Sequence, residues 1–257
     1  MHNTILIGFS GKIGSGKNYI AEQIFVPTLI DNIKHQYNNT LIVPYYFSFG
    51  DHLKVECLCR NSYESLSDID GYYNFFTEKT KETRDILQKY GTENGRDKYH
   101  ENIWIRAVDT WIKIQLDRLQ KTKLNTLAII IISDVRFENE LKYIEDNRGI
   151  IIRIDAPDRT MKRIQQESNG DYQIKSKIQS HASEISLDNY DFEYVINNSY
   201  DRPFDDINME VINIIKKICD IYDENKKFVE IVEEYDNYIN NYTEKMENDL
   251  VNNYLNI

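Results

Sequence analysis

The chain opens on an apolar run, Ile5-Leu6-Ile7-Gly8-Phe9, which closes in a glycine-rich turn and reads as a buried parallel strand. From Lys17 the period changes. Ile20, Ala21, Ile24 and Phe25 recur at helical spacing and predict a helix with one core-facing side, which Pro27 kinks or ends. Residues 41–47 predict a second strand, weakened by Pro44. Residues 74–121 read as mostly helical, with Ile103, Ala107, Val108, Trp111, Ile114 and Leu119 on one stripe. The run at 127–132 is the clearest buried strand, followed by a helix over 137–147 and a strand over 150–154. Another helix is expected after Asp155-Ala156-Pro157, because proline suits a first helical position. Residues 194–196 form a last short strand and 204–222 a last core helix. Strands alternating with helices predict an α/β fold, a mainly parallel sheet covered by helices on both faces.

From about residue 223 the pattern shifts. Nine acidic residues stand against Lys226, Lys227 and Lys245. Yet Phe228, Val232, Tyr235, Ile239, Tyr242, Met246 and Leu250 keep helical spacing, so 223–257 reads as an acidic amphipathic helix rather than a disordered tail. Its stripe needs an apolar surface to cover, either its own domain or a second subunit in a homodimer.

The 257 residues, 41% of them hydrophobic, suffice for one large domain with an appendage. No run approaches the ~18 apolar residues of a membrane span, and the start carries no basic leader. The expected setting is cytoplasmic, the host cytoplasm if the chain is viral. Cys57, Cys59 and Cys219 are an odd number without metal-ligand spacing and fit a reducing compartment, and Cys57 and Cys59 read as core thiols rather than as half of a metal site. The net charge of −11 argues against a broad nucleic-acid contact.

Between the first strand and the first helix lies Gly11-Lys12-Ile13-Gly14-Ser15-Gly16-Lys17, which matches the Walker A core G-x-x-x-x-G-K in the strand–loop–helix setting it requires. Glycines let successive backbone N–H groups turn toward phosphates, the helix N-terminus adds partial positive charge, and Lys17 reaches the β/γ oxygens. The candidate ATP contacts are thus Gly11, Lys12, Ile13, Gly14, Ser15, Gly16, Lys17 and Asn18. Asn18 departs from the motif, standing where Ser or Thr would offer a hydroxyl to Mg2+. The metal is then held by the amide oxygen, by water or by the nucleotide itself, with Asn18 and Asp134 as candidate ligands.

An acceptor that is already a phosphate dianion needs no general base, so its site should be rich in arginine and short of a nucleophile triad. Asp134 and Arg136 follow the best strand, where open α/β sheets bind ligands; the alternative for Asp134 is a cap on the next helix. Arg84, Arg96 and Arg106 flank the helical segment. Arg159 and Arg163 share one helical face, either a lid closing on the transferred group or an exposed surface. His181, Ser183 and Glu184 read as polar loop surface, and Lys54 and Asp51 are ambiguous on their own.

Several ordered blocks resemble the deoxynucleoside monophosphate kinases of bacteriophages and large DNA viruses. They are 8–17 with the P-loop, Phe49-Gly50-Asp51-His52-Leu53-Lys54, 87–96 with Leu-Gln-x-x-Gly-Thr-Glu, Trp104-Ile105-Arg106-Ala107, 132–140 with Ser-Asp-Val-Arg-Phe, and Ser180-His181-Ala182-Ser183-Glu184. The resemblance implies a P-loop NTPase-type kinase domain over 1–222, with a helical acceptor-binding insertion at about 50–121 and a lid at about 158–184. It implies ATP with Mg2+ as donor and acceptor contacts at Arg84, Gln88, Arg96, Trp104 and Arg136. Lys54 and Asp134 join that set, and Lys17, Arg136, Arg159 and Arg163 are the expected catalytic cations. Two rivals stand beside this reading. One is another small-molecule kinase, similar to the animal-type phosphomevalonate kinase, whose acceptor has no base to stack. The other is a nucleotide-binding switch or assembly protein without efficient turnover, favoured by Asn18.

Overall fold

In a computed structural model, which describes residues 4–37, 39–60, 69–77 and 80–224, the apolar runs become five parallel strands. They are β1 (Thr4–Ser10), β2 (Leu41–Phe47), β3 (Thr126–Val135), β4 (Ile150–Asp155) and β5 (Tyr194–Asn197), in the spatial order β2-β3-β1-β4-β5. Helix α1 (17–36) follows β1, and α2 (Phe49–Arg60), α3 (Ile69–Thr77), α4 (Lys81–Lys89) and α5 (Ile103–Lys121) separate β2 from β3. α6 (Glu138–Asp146) leads into β4. α7 (Pro157–Ser168), α8 (Tyr172–Ser180) and the short α9 (Ala182–Ile185) lead to β5, and α10 (204–224) follows. Asn3–Ile215 form one compact unit, and the chain from Lys216 belongs to a second. The amphipathic extension expected from 223 lies, beyond residue 224, outside the described residues.

β3 is buried along nearly its whole length because it is flanked by strands and helices, hence its unbroken apolar sequence. Alternate residues Ala128, Ile130 and Ile132 share a core with Phe49, Val108 and Ile112 on one face. On the other, Phe9 of β1 meets Phe25 of α1 edge to face at 5.3 Å. Pro44 sits in β2 opposite Ile129, tolerated because β2 is an edge strand.

Two expectations shift. Pro27 does not end α1; the stretch Ile20–Phe25 just before it widens into a π turn, which makes room for the ring and its missing N–H. The buried stripe of α5 is Trp104, Ile105, Val108 and Ile112, while Trp111 is 42% exposed and donates its ring N–H to His52. A helix over the sheet is rotated by what it packs on, which its own periodicity resolves only to about one residue.

From β1 the chain crosses over β3 to reach β2, whereas from β3 it crosses over β1 to reach β4. The carboxyl ends of β1 and β3 therefore flank a topological switch point, the crevice where open α/β sheets hold ligands.

Candidate active site

The loop after β1 is shaped by two glycines in the left-handed region, Gly14 at φ 76° and Gly16 at φ 82°, where a side chain would be strained. It is also hemmed in: a Cβ on Gly11 would lie 2.6 Å from Ser15 Oγ, and one on Gly14 2.6 Å from Arg163 Cβ. Asn198, just past β5, donates its side-chain N–H to the Ser15 carbonyl at 2.8 Å and braces the loop from beneath. Asp158 holds the same β5 loop to α7. It accepts from Tyr200 N at 2.6 Å, which with the Arg159 N–H keeps its carboxyl below its usual range. Ser15 Oγ is buried with no hydrogen-bond partner among the described residues, and Lys17, at the first position of α1, is only 8% exposed. An orphan hydroxyl inside a glycine cradle, with a near-buried ammonium beside it, fits a bound polyphosphate, whose oxygens would satisfy the hydroxyl and face positive charge.

Across the switch point, β3 runs on to Val135, so Asp134 lies within the strand and Arg136 directly after it. Asp134 Oδ1 accepts from Phe49 N at 2.7 Å, and Oδ2 from Ser48 Oγ at 2.7 Å and Gly50 N at 2.9 Å. It therefore caps α2 rather than the following α6. Among the described residues no three acidic, histidine or cysteine side chains are grouped so that they could hold a metal ion. Asp134 would offer a Mg2+ only oxygens already engaged by Ser48 and the start of α2. Asn18, in the first turn of α1, offers one amide oxygen, and phosphate oxygens and water would complete a Mg2+ shell.

Glu140 organises the acceptor side. It is 2% exposed and accepts from Arg96 Nη2 at 2.6 Å, Arg136 N at 2.8 Å and Phe137 N at 3.1 Å. Burial, and then the nearby Asp134 charge, push its carboxyl up to about 7 against the opposing pull of Arg96 and the two amides. The Arg96 guanidinium also stacks on the Phe137 ring at 3.7 Å. One buried carboxylate thus fixes both the backbone of Arg136 and the side chain of Arg96.

Facing it, Glu184 on α9 joins the two halves of the site. Its Oε2 accepts from the P-loop amide of Ile13 at 2.8 Å and its Oε1 from Arg136 Nη1 at 2.7 Å. The expectation of polar loop surface is corrected here, because the Glu184 side chain is only 9% exposed and the turn is helical, capped by His181 accepting from Ser183 N. Burial holds the His181 imidazole below its usual pKa. Nearby, Lys12 pairs with Asp188 at 2.7 Å. Arg153 of β4 donates to Ser10 Oγ at 3.0 Å and lies 5.3 Å from the centre of the Phe192 ring. Ser10, Lys12, Arg136, Arg153 and Glu184 line one small cavity at the end of β1.

The other expected residues are dispersed. Arg159 donates to the Asn198 carbonyl at 2.5 Å and stacks on Tyr200 at 4.3 Å, and Arg163 pairs with Glu167 on its own helix. α7 nevertheless abuts the P-loop, through Gly14 and Arg163. Lys177 of α8 reaches Asp85 of α4 at 3.3 Å. Lys54 pairs with Asp51 and lies near the Phe76 ring. Gln88 is half-buried on α4; the side chain of Arg84 lies outside the described residues. Trp104 is 7% exposed, its ring N–H donating to the Gly91 carbonyl at 3.0 Å and its ring against Gly95, so it supports the turn at 90–96.

Reading the residues alone missed Glu140, Arg153, Glu184 and Asn198. Glu140 and Glu184 do fall inside the blocks that carry the family resemblance. Arg153 had one signal, a charge inside an apolar strand; Asn198 had none.

A glycine cradle closed on a helix N-terminus, facing arginines across the switch point of a parallel sheet, defines a P-loop phosphotransferase of the kinase type. A protein of Acanthamoeba polyphaga mimivirus with the provisional name deoxynucleotide monophosphate kinase is 31% identical over 170 residues, 60% of this chain and 75% of that protein. The chain belongs to this deoxynucleotide monophosphate kinase family. No family model matches it. Among solved structures, dephospho-CoA kinase from Campylobacter jejuni is 19% identical with a TM-score of 0.36, covering 84% of this chain and 97% of its own. Thymidylate kinase from Ehrlichia chaffeensis is 18% identical with a TM-score of 0.32, covering 84% and 99%. Shikimate kinase from Bacteroides thetaiotaomicron is 12% identical with a TM-score of 0.37, covering 83% and 98%. Likenesses this distant bear on neither substrate nor mechanism, and the fold rests on the sheet itself. No helix among the described residues is long and apolar enough to cross a membrane.

Proposed function

We propose that the chain transfers the γ-phosphoryl group of ATP to the phosphate of a deoxynucleoside monophosphate. The observation that carries the reading is the P-loop amide of Ile13 and the guanidinium of Arg136 meeting on one carboxylate across the switch point. Donor and acceptor phosphates held by those two groups would be neighbours. The family relationship supports a monophosphate as acceptor.

In this reading the backbone N–H groups of 11–18 and Lys17 hold the ATP phosphates, and bound Mg2+ would neutralise charge on them. Arg136 receives the acceptor phosphate, for which a guanidinium is suited by its two parallel donors. Glu140 keeps Arg136 in place through its backbone and keeps Arg96 beside it. The acceptor phosphate is itself the nucleophile, so the absence of any need for a base suits a site made of cations. Lys54, Arg84 and Gln88, on the helices at about 50–121, are the remaining acceptor candidates, and Arg159 and Arg163 border the P-loop from a lid at about 158–184. The kinase domain so defined spans 1–222, with 223–257 as an extension.

A coupled assay of ADP release with ATP and each of the eight common nucleoside monophosphates tests the proposal. Release dependent on a deoxynucleoside monophosphate is expected. ATP binding with no acceptor-dependent release would refute it.

A further inference from the structure

The carboxylate of Glu184 takes two hydrogen bonds that a kinase of this build has reason to reserve for phosphates. Ile13 N–H belongs to the anion cradle, and Arg136 faces it from the acceptor side. The walls around that carboxylate are cationic. Lys12 and Arg153 line the same cavity, Lys12 matched by Asp188. Among the described residues Arg153 makes no ion pair, and its half-buried guanidinium rests on a hydroxyl and a ring. Burial lowers the pKa of Arg153, with Asp155, Asp188 and Glu184 opposing, as for a cation whose compensation comes from charges at a distance. Among the described residues Glu184 is the anion bonded to both the P-loop amide and Arg136, while Asp188 holds Lys12 at the edge of the same cluster.

We propose that Glu184 is an internal stand-in for a phosphoryl group. It positions Arg136 against the P-loop and surrenders Ile13 N–H, and with it Arg136, when phosphate oxygens enter. It is a positioning residue whose negative charge sets the affinity of the cradle for polyphosphate. The turn that carries it is suited to give way. α9 is four residues long, and the segment just after it is tied to the P-loop by Lys12 with Asp188, an exposed pair of small worth. The inference deepens the proposed kinase reading and rests on the P-loop being a polyphosphate site, but not on the identity of the acceptor.

The test is calorimetric titration of the full chain with inorganic tripolyphosphate, without acceptor, for wild type, Glu184→Gln and Glu184→Asp. Glutamine keeps the shape and removes the charge. It should tighten tripolyphosphate roughly tenfold, the order expected when one charge-assisted hydrogen bond no longer competes. Aspartate keeps the charge and should stay within about twofold of wild type. The Michaelis constant for ATP should fall with the glutamine dissociation constant while kcat does not rise. Unchanged or weaker tripolyphosphate binding in Glu184→Gln would overturn the proposal, as would equal effects of Gln and Asp, the mark of a merely structural role. Should Glu184→Gln fail to fold by circular dichroism, Glu184→Met takes its place in the same titration. Tighter tripolyphosphate binding in a protein that turns over no monophosphate would uphold the stand-in and refute the acceptor assignment, so the two can fail separately.

Discussion

Glu140→Gln separates what a buried charge does from what its shape does. The glutamine oxygen can still accept from the Arg136 and Phe137 amides, but it cannot titrate. In the unfolded chain Glu140 titrates near its ordinary 4.5, in the folded chain at about 7, because burial and Asp134 outweigh Arg96 and the two N–H groups. Between those values the native state binds more protons than the unfolded state, so wild type loses stability as pH rises and loses no more above about 7. The interval corresponds to about 3 kcal/mol at ~1.4 kcal/mol per pH unit, an order-of-magnitude figure. Urea denaturation of both proteins at pH 5, 6, 7 and 8 reads it directly. Subtracting the glutamine stability cancels the other carboxylates, and the difference should move steadily against wild type from pH 5 to 7 and then level off. A difference that stays flat across pH 5–8 would refute the reasoning. It would show that Arg96 and the amides keep Glu140 ionised throughout.

Lys17→Ala should leave the fold intact and lower kcat by at least two orders of magnitude, about 3 kcal/mol of transition-state stabilisation; near-normal turnover would sink the P-loop assignment. Arg136→Ala should raise the Michaelis constant for the monophosphate by a larger factor than that for ATP, since its guanidinium faces the cradle from the β3 side. Equal factors, or an effect on ATP alone, would move Arg136 to the donor side. Gly16→Ala should cost about 1–2 kcal/mol of stability from its left-handed backbone alone, and more from a Cβ 2.5 Å from Asn198 Nδ2. Chemical denaturation measures it, and an unchanged midpoint would mean that the loop relaxes.

The features legible in the sequence are those fixed by neighbours along the chain. A short apolar run rich in β-branched residues, such as 127–132, favours a strand buried on both faces. The glycines at 14 and 16 mark left-handed positions that other residues resist. Arg136 could be placed at the site because a residue directly after a central strand lies at the sheet's ligand-binding edge whatever the strand order. The tertiary structure alone decided that Pro44 lies on an edge strand, that Trp104 rather than Trp111 turns inward, and that Asp134 caps α2. It alone brought Glu184 to Ile13 across 171 residues, Arg96 to Glu140 across 44 and Asn198 to Ser15 across 183. The reason is physical. A turn or a period is chosen by torsions and burial within a few residues, whereas these contacts exist only once crossovers have set β3 and β4 on either side of β1 with β5 beyond β4, and no local preference of Glu184 or Asn198 encodes that path.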